Sequence, residues 1–434
     1  MSGSLEEESK MVDKNLVKKK KFDLKNTLIT NVIPILFGIF LVLGFFMTDK
    51  SLVKILDEII QLSLRNALLV FSLILPILAG VGFNFGIVIG AIAGQIGIIL
   101  ALNWGVVGFK GFLVAIAFAT PIAIVLGLLL GLLLHKTQGR EMITSLFIGY
   151  VSNTIYQGFF IFLLGGLIPF GASKLLLDDG VGLKNSIDLT ETLGSSVDGL
   201  LQASIVNVIF IAALIFLAYN IYQLRKEEAK AQISEFIYKI IIPSVMIIFS
   251  IFIMYTSLFS TNGNIIRRIE FPVVTGLLIG GVAFFIYQIS ESKIGDALKT
   301  IAHKPKEAKT SDLPVKKYKV IAVMLSIVFA AWGQIIFLQN TGMMSTYGSH
   351  TGVGVMSVLT LIFGGASIDK ATVGQALLGI FLFQGFTILG PEIFASFDNR
   401  NIYQIFRLLI INSVIVYAFI QIRSNRIGLE SKND

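Results

Sequence analysis

Long uncharged apolar blocks alternate with short polar stretches along the chain, and the blocks at 31–47, 111–134 and 204–218 contain no Asp, Glu, Lys or Arg. Runs of ~17–25 apolar residues match a ~30 Å hydrocarbon core at ~1.5 Å of helical rise per residue. The pattern predicts membrane-spanning helices near 29–47, 66–82, 86–103, 111–135, 143–168, 201–222, 239–259, 272–290, 319–338, 352–366, 372–390 and 403–422. The short segments around Gly82 and Gly352 are the ones expected to be re-entrant or broken. The expected fold class is all-α: a polytopic transmembrane helix bundle of about 10–12 spans.

Composition agrees. Of 434 residues, 55% are hydrophobic and 14% charged, where a soluble domain would carry roughly a quarter charged. There are no cysteines, which excludes disulfides, thiolate chemistry and cysteine metal sites.

The net charge of +8 would suit nucleic acid, but its placement points elsewhere. Lys14, Lys18, Lys19, Lys20, Lys21 and Lys25 precede the first apolar block; Lys293, Lys299, Lys304, Lys306, Lys309, Lys316, Lys317 and Lys319 surround one internal segment; Arg423 and Arg426 follow the last block. Basic clusters beside spans set orientation and meet anionic lipid headgroups. Lipid is therefore an expected partner and nucleic acid is not. With the N-terminus inside, alternating sides put Arg225, Lys226, Lys230, the segment 291–318 and the C-terminus in the cytoplasm. The weakly charged connection 171–200 falls outside with Asp178, Asp179, Asp188, Glu191 and Asp198, and the Arg267–Arg268 pair alone disagrees. The reading is N-in/C-in, with a basic tail at 1–28, a transmembrane domain at 29–422 and a second tail at 423–434. The first apolar block lacks a small-residue cleavage pattern and reads as a retained helix.

Glycines recur at helix-contact spacing at Gly82, Gly86, Gly90, Gly94 and Gly97, then at Gly127 and Gly131, and at Gly276 and Gly280. Such spacing lets helix backbones approach closely in lipid. The turn from Gly80 to Gly86, with Phe83 and Asn84 inside it, is different, because broken backbone at membrane depth survives where protein or a water-lined cavity satisfies it. No ionisable residue falls in the middle of a predicted span; Lys110, Glu141, Glu270, Glu392 and Arg407 sit near predicted ends, where snorkelling is cheap. A phosphate-cradling loop of the G-x-x-x-x-G-K-[ST] type is absent from the sequence. These absences favour a passive channel or an externally powered permease over an ion-coupled carrier. The polar residues expected at membrane depth are neutral. Gln95, Asn153, Gln157, Gln334 and Asn340, with Phe83 and Asn84, are the candidate pathway residues for a neutral, hydrogen-bonding solute, and each has an alternative role as a helix–helix tie. No catalytic or metal-ligating set is evident.

The segment 292–317 carries the most specific signal. Pro305 is placed to open a short helix and Pro314 to close it, which would make a docking peg between two spans. The segment resembles the coupling loop of ATP-binding-cassette importer permeases for ribose, simple sugars and nucleosides. Gly295, Ala297, Leu298, Lys299, Pro305, Ala308, Lys309 and Val315 keep the pattern, whereas Ala302, Lys304 and Asp312 depart from it. Phe83-Asn84-Phe85-Gly86 followed by Gly94-Gln95 is similar to a turn of the subgroup paired with basic-membrane-lipoprotein-type binding proteins. Gly139 to Tyr150 resembles another motif of that subgroup, and Gly352, Gly354 and Gly364-Gly365-Ala366-Ser367 resemble a fourth region. The resemblance leaves out 201–260, which reads as an extra hairpin.

The resemblance implies a transport subunit, not an enzyme, with no cofactor of its own and ATP and Mg bound on partner ATPase subunits. The ATPase-coupling residues would be Ala302, Pro305, Glu307, Ala308, Lys309 and Asp312. The implied partners are those ATPases, a second permease subunit and an extracytoplasmic substrate-binding lipoprotein, in a bacterial cell membrane. The implied solute is a nucleoside or simple sugar. The alternative is a self-sufficient channel, facilitator or secondary carrier.

Overall fold

The computed structural model describes residues 31–226, 240–259, 268–310, 313–395 and 402–413, with positions 416 and 420. Both predicted tails, Lys230, Arg267 and Asp312 lie outside the described residues. The chain folds as helices α1 (Val32–Met47), α2 (Leu52–Phe71), α3 (Ile74–Leu78), α4 (Ile87–Asn103), α5 (Gly108–Lys136) and α6 (Glu141–Gly158). A long connection leads to α7 (Ile205–Lys226), α8 (Ile242–Phe259), α9 (Val273–Ser290), the short α10 (Lys293–His303) and α11 (Pro305–Thr310), then α12 (Val315–Thr341), α13 (Val353–Phe363) and α14 (Val373–Ala395). The last described helix is α15 (Ile402–Ser413).

Seven helical stretches among the described residues are long and apolar enough to cross a membrane, and five shorter apolar helices fall on the remaining predicted segments. The architecture is a polytopic all-helical bundle. Two boundaries differ from expectation. The segment predicted to start at 66 begins at Leu52, because its first half is amphipathic: Asp57, Glu58 and Arg65 lower its hydropathy while Ile55 and Ile59 are fully buried. Ser51 starts it, its hydroxyl accepting from Lys54 N at 3.4 Å, as an N-cap should. At the other end of the chain, α13 has 11 residues, about 16 Å of helix, roughly half of what a span needs.

At the centre is α4, buried along almost its whole length. Its glycine stripe works as close packing. A Cβ on Gly90 would lie 2.4 Å from Ile327 O and one on Gly94 2.5 Å from Ala331 O, both on α12, while Gly97 meets Ala115 O of α5 at 2.3 Å. Gly127 and Gly131 likewise bring α5 onto α12, where an added Cβ would stand 2.9 Å from Met324 Cα and 3.0 Å from Val320 Cα. Without a hydrophobic drive between helices in lipid, such contact is what holds them. The hairpin of α7 and α8 packs chiefly on itself, in keeping with an addition to the core.

With 27 residues, α12 is about 40 Å long and runs from α10 to the opposite end of the bundle. There the chain forms two small antiparallel sheets. Strands β1 (Ser186–Asp188) and β4 (Met343–Ser345) pair with Ile187 opposite Met344; β2 (Gln202–Ser204) and β3 (Glu270–Pro272) pair with Ala203 opposite Phe271. The connection 171–200, expected as an outer loop, folds into a cap that buries Leu183, Leu189, Leu193 and Val197.

Ionisable residues outside the predicted spans nevertheless enter the bundle. Arg65 lies within α2, which starts earlier than predicted, and His350, Asp198 and Glu141 are all buried. His350 and Asp198 sit in connections that fold inward, which a hydropathy window does not register.

Candidate functional site

Beneath the cap, the connection between α12 and α13 turns into the bundle. Gly342, in a left-handed conformation (φ 69°), ends α12; β4 then ties the chain to the cap, and Thr346 Oγ1 and Tyr347 Oη donate to Lys184 O (2.6 Å) and Leu183 O (2.9 Å). This places His350, fully buried, between two helices. Its Nδ1 lies 2.7 Å from Gln95 Oε1 on α4, and its Nε2 lies 2.7 Å from Asn153 Oδ1 on α6. Gln157 Nε2 donates to Asn153 Oδ1 (3.1 Å) and to Tyr347 O (3.4 Å), Gln95 Nε2 to Ser345 O (3.4 Å), and Gln334 Nε2 to Ser349 O (3.2 Å).

Four of the candidate pathway residues, Gln95, Asn153, Gln157 and Gln334, thus converge on one connection. The residue that joins them, His350, escaped the sequence reading because it sits just ahead of an apolar block. Its signal was rarity, since the chain has 3 histidines. A neutral imidazole has one N–H donor, yet two amide oxygens face the ring. A neutral ring therefore donates to one of these amides and accepts from the nitrogen of the other, whereas a doubly protonated ring donates to both. Around it, Tyr156 Oη and Gln334 Oε1 are buried without a hydrogen-bond partner, and the Tyr156 ring meets His350 edge-on at 4.9 Å. Unpaired buried polar atoms are the places where water or solute completes a site.

Two cavities flank the connection. The larger, about 330 Å³, lies among α2, α12, α13 and α14 and is lined in part by Asn66, Phe337, Ser349, Thr351 and Ser357. The smaller, about 50 Å³, lies against α6 and includes Tyr150, Asn153 and Thr351. Thr351 belongs to both walls.

The other three candidates lie elsewhere. Asn340 Nδ2 donates to Asp198 Oδ2 at 2.8 Å; Thr275 holds the other oxygen of that carboxylate, so Asn340 ties α12 to the cap and α9. Asn84 Oδ1 accepts from Gly86 N (3.1 Å), its Nδ2 reaches Ser326 Oγ (3.3 Å), and Phe83 beside it is fully buried. These two residues organise the broken turn.

That turn lies at the far end, on α10. Gly80 and Gly82 hold φ of 69° and 77°, which only glycine adopts at little cost. A Cβ on Gly80 would stand 2.8 Å from Ala302 Cα on α10, and one on Gly82 would stand 2.8 Å from Ile368 Cγ1 in the second helix break, with Met142 Sδ at 3.6 Å. The two breaks and the start of α6 therefore meet in one floor, with α10 beneath it. Ser292 caps α10, its hydroxyl accepting from Ile294 N (3.2 Å) and Gly295 N (3.4 Å). Gly295, Leu298 and Ile301, three apart, form its buried face, while Lys293 and Asp296 are exposed. In α11, which includes Pro305 and Lys309, Ala308 is buried and Glu307 pairs with Lys304 at 2.9 Å. Beside the floor, buried Glu141 pairs with Lys319 at 3.2 Å.

No family model, curated protein or solved structure matches the chain.

Proposed function

We propose that the chain is the membrane-spanning subunit of an ATP-driven importer for a small hydrogen-bonding solute of nucleoside or simple-sugar size. The observation that carries this reading is the seat of α10: an amphipathic helix with its apolar face under a glycine-broken span, Ala302 against Gly80, and its charged face turned outward. In this reading ATPase subunits grip α10, α11 and the chain that follows them, at Ala302, Pro305, Glu307, Ala308, Lys309 and Asp312. Closure of the ATPases moves the pair, and the Gly80 turn passes that movement to the contact between Gly82 and Ile368. Opening and closing this floor against the cap-side cluster gives alternating access. The cluster of Gln95, Asn153, Gln157, Gln334 and His350 supplies donors and acceptors for the solute. A second permease subunit and a lipoprotein delivering solute at the cap complete the assembly in a bacterial cell membrane.

The test is purification of the chain from its native membrane in mild detergent. An ATPase subunit with a phosphate-binding loop should co-purify, and the complex should hydrolyse ATP. A chain that purifies alone and conducts sugars or nucleosides down their gradient in liposomes sinks the proposal in favour of a facilitator.

One observation favours a second reading. A buried histidine held between two amides is a group that a proton-linked carrier would use. Uptake that follows an imposed pH gradient without ATP, and is lost in His350→Gln, would select that reading.

A further inference from the structure

The 330 Å³ cavity changes character from one end to the other. Both α2 and α13 run toward the floor, where Gly82 meets Ile368, so their residue order sets the two ends. Asn66 comes before Leu69 and Val70 on α2, and Ser349 and Thr351 come before Ser357 and Thr360 on α13; all of them line the cavity. Toward the cap the lining is polar and partly open, with Thr351 exposed and Asn66 and Ser349 half-buried. Toward the floor Leu69, Val70, Ser357 and Thr360 are all buried.

Much of the polar capacity of this lining is already used. The hydroxyls of Thr351 and Thr360 donate to Gly348 O (2.8 Å) and Met356 O (2.7 Å). Asn66 Nδ2 donates to Leu62 O at 2.8 Å, and Ser349 Oγ accepts from Ser345 N at 2.9 Å. The Asn66 carbonyl and the Ser349 hydroxyl hydrogen are left over at the cap end. At the floor end Ser357, 4% exposed, makes no hydrogen bond among the described residues. A helical serine ordinarily bonds a carbonyl one turn back, so a free hydroxyl on a cavity wall is a place for a ligand atom.

Size and surface narrow that ligand. An apolar cavity of ~150 Å³ holds one benzene, and this one, at about 330 Å³, has room for a substituted ring. Phe337, Met356 and Phe383 make much of the remaining wall, and the lining includes no charged residue. A free sugar carries a hydroxyl on nearly every carbon. At the floor end Ser357 is the one lining side chain with a hydrogen left to donate, and each buried sugar hydroxyl without a partner weakens binding.

We propose that the cavity seats an uncharged aromatic heterocycle, with a ring nitrogen accepting from Ser357 and an amide or hydroxyl substituent meeting Asn66 and Ser349. The proposal rests on the transport reading and narrows its solute from sugars to ring compounds with few polar atoms.

The full chain, in nanodiscs of phosphatidylcholine, is followed by thermal unfolding with nicotinamide, isonicotinamide, benzamide, toluene, ribose and glucose. A ligand that binds the folded state raises the midpoint according to its occupancy. At least one pyridine amide should raise the midpoint at concentrations where ribose, glucose and toluene do not. Benzamide, which lacks the ring nitrogen, should bind about fivefold more weakly, the scale of one net hydrogen bond. Ser357→Ala should weaken the pyridine amide by the same factor and leave benzamide unchanged, a difference that a loss of packing would not produce. If Ser357→Ala does not fold, Asn66→Ala should weaken the pyridine amide and benzamide alike, about fivefold.

Ribose or glucose stabilising as well as the pyridine amides, or no shift from either amide, would overturn the proposal. Toluene matching them would reduce the cavity to an apolar void, and Ser357→Ala weakening benzamide equally would remove the serine contact. ATP-driven uptake of ribose would in those cases leave the transport reading standing. Ser357-dependent binding of a pyridine amide without any ATP-driven uptake would keep the site and remove the transport reading.

Discussion

At the α10 end the bundle is closed by glycines: Gly80 lies on the backbone of Ala302 and Gly82 on the side chain of Ile368. At the cap end it is closed by side chains, with His350 held by Gln95 and Asn153 and Asp198 held by Asn340 and Thr275. A glycine contact this close admits no added Cβ. Amides and an imidazole exchange partners, which suits recognition of a solute.

Substitutions can separate the two ends. Gly82→Val should have the largest effect, because it combines a left-handed φ with a Cβ 2.8 Å from Ile368. Strain and overpacking together should destabilise by about 3–5 kcal/mol, read as loss of the folded peak in size-exclusion chromatography or a large drop in Tm. His350→Ala leaves Gln95 Oε1 and Asn153 Oδ1 without the ring between them, costing about 1–3 kcal/mol, while His350→Gln should restore part of the Tm. Asn340→Ala removes one of two partners from the Asp198 carboxylate and should cost about 1–2 kcal/mol in the same assay. Lys50→Ala, which breaks the partly exposed pair with Glu392, should change stability by no more than about 0.5 kcal/mol. If Gly82→Val were tolerated as well as Lys50→Ala, the close glycine packing of the floor would be wrong.

The sequence revealed the class of the molecule and the parts of its site, but not how those parts meet. Span length and charge placement identified the apolar helices, and the glycine spacing identified the faces where α4, α5 and α12 touch. Gln95, Asn153, Gln157 and Gln334 were legible as polar residues at membrane depth. That they converge depends on the inward path of residues 346–350, which β4 and the cap enforce over a long sequence separation. Arg65 was hidden by the amphipathic first half of α2, whose buried Ile55 and Ile59 show it to be part of the packed bundle despite its charges. The cap was hidden because Leu183, Leu189, Leu193 and Val197 are too widely spaced to register as an apolar run.

We propose that α10 and α11 pass ATP-driven movement to the broken spans. It is tested most directly by comparing solute uptake with ATP hydrolysis in proteoliposomes of the native complex and of an Ala308→Pro complex. Proline at 308 removes the bond from Ala308 N to Lys304 O at 3.0 Å and clashes within a six-residue helix. The subunits should still assemble and hydrolyse ATP while uptake falls at least tenfold. Uptake at the native rate in the Ala308→Pro complex would contradict it.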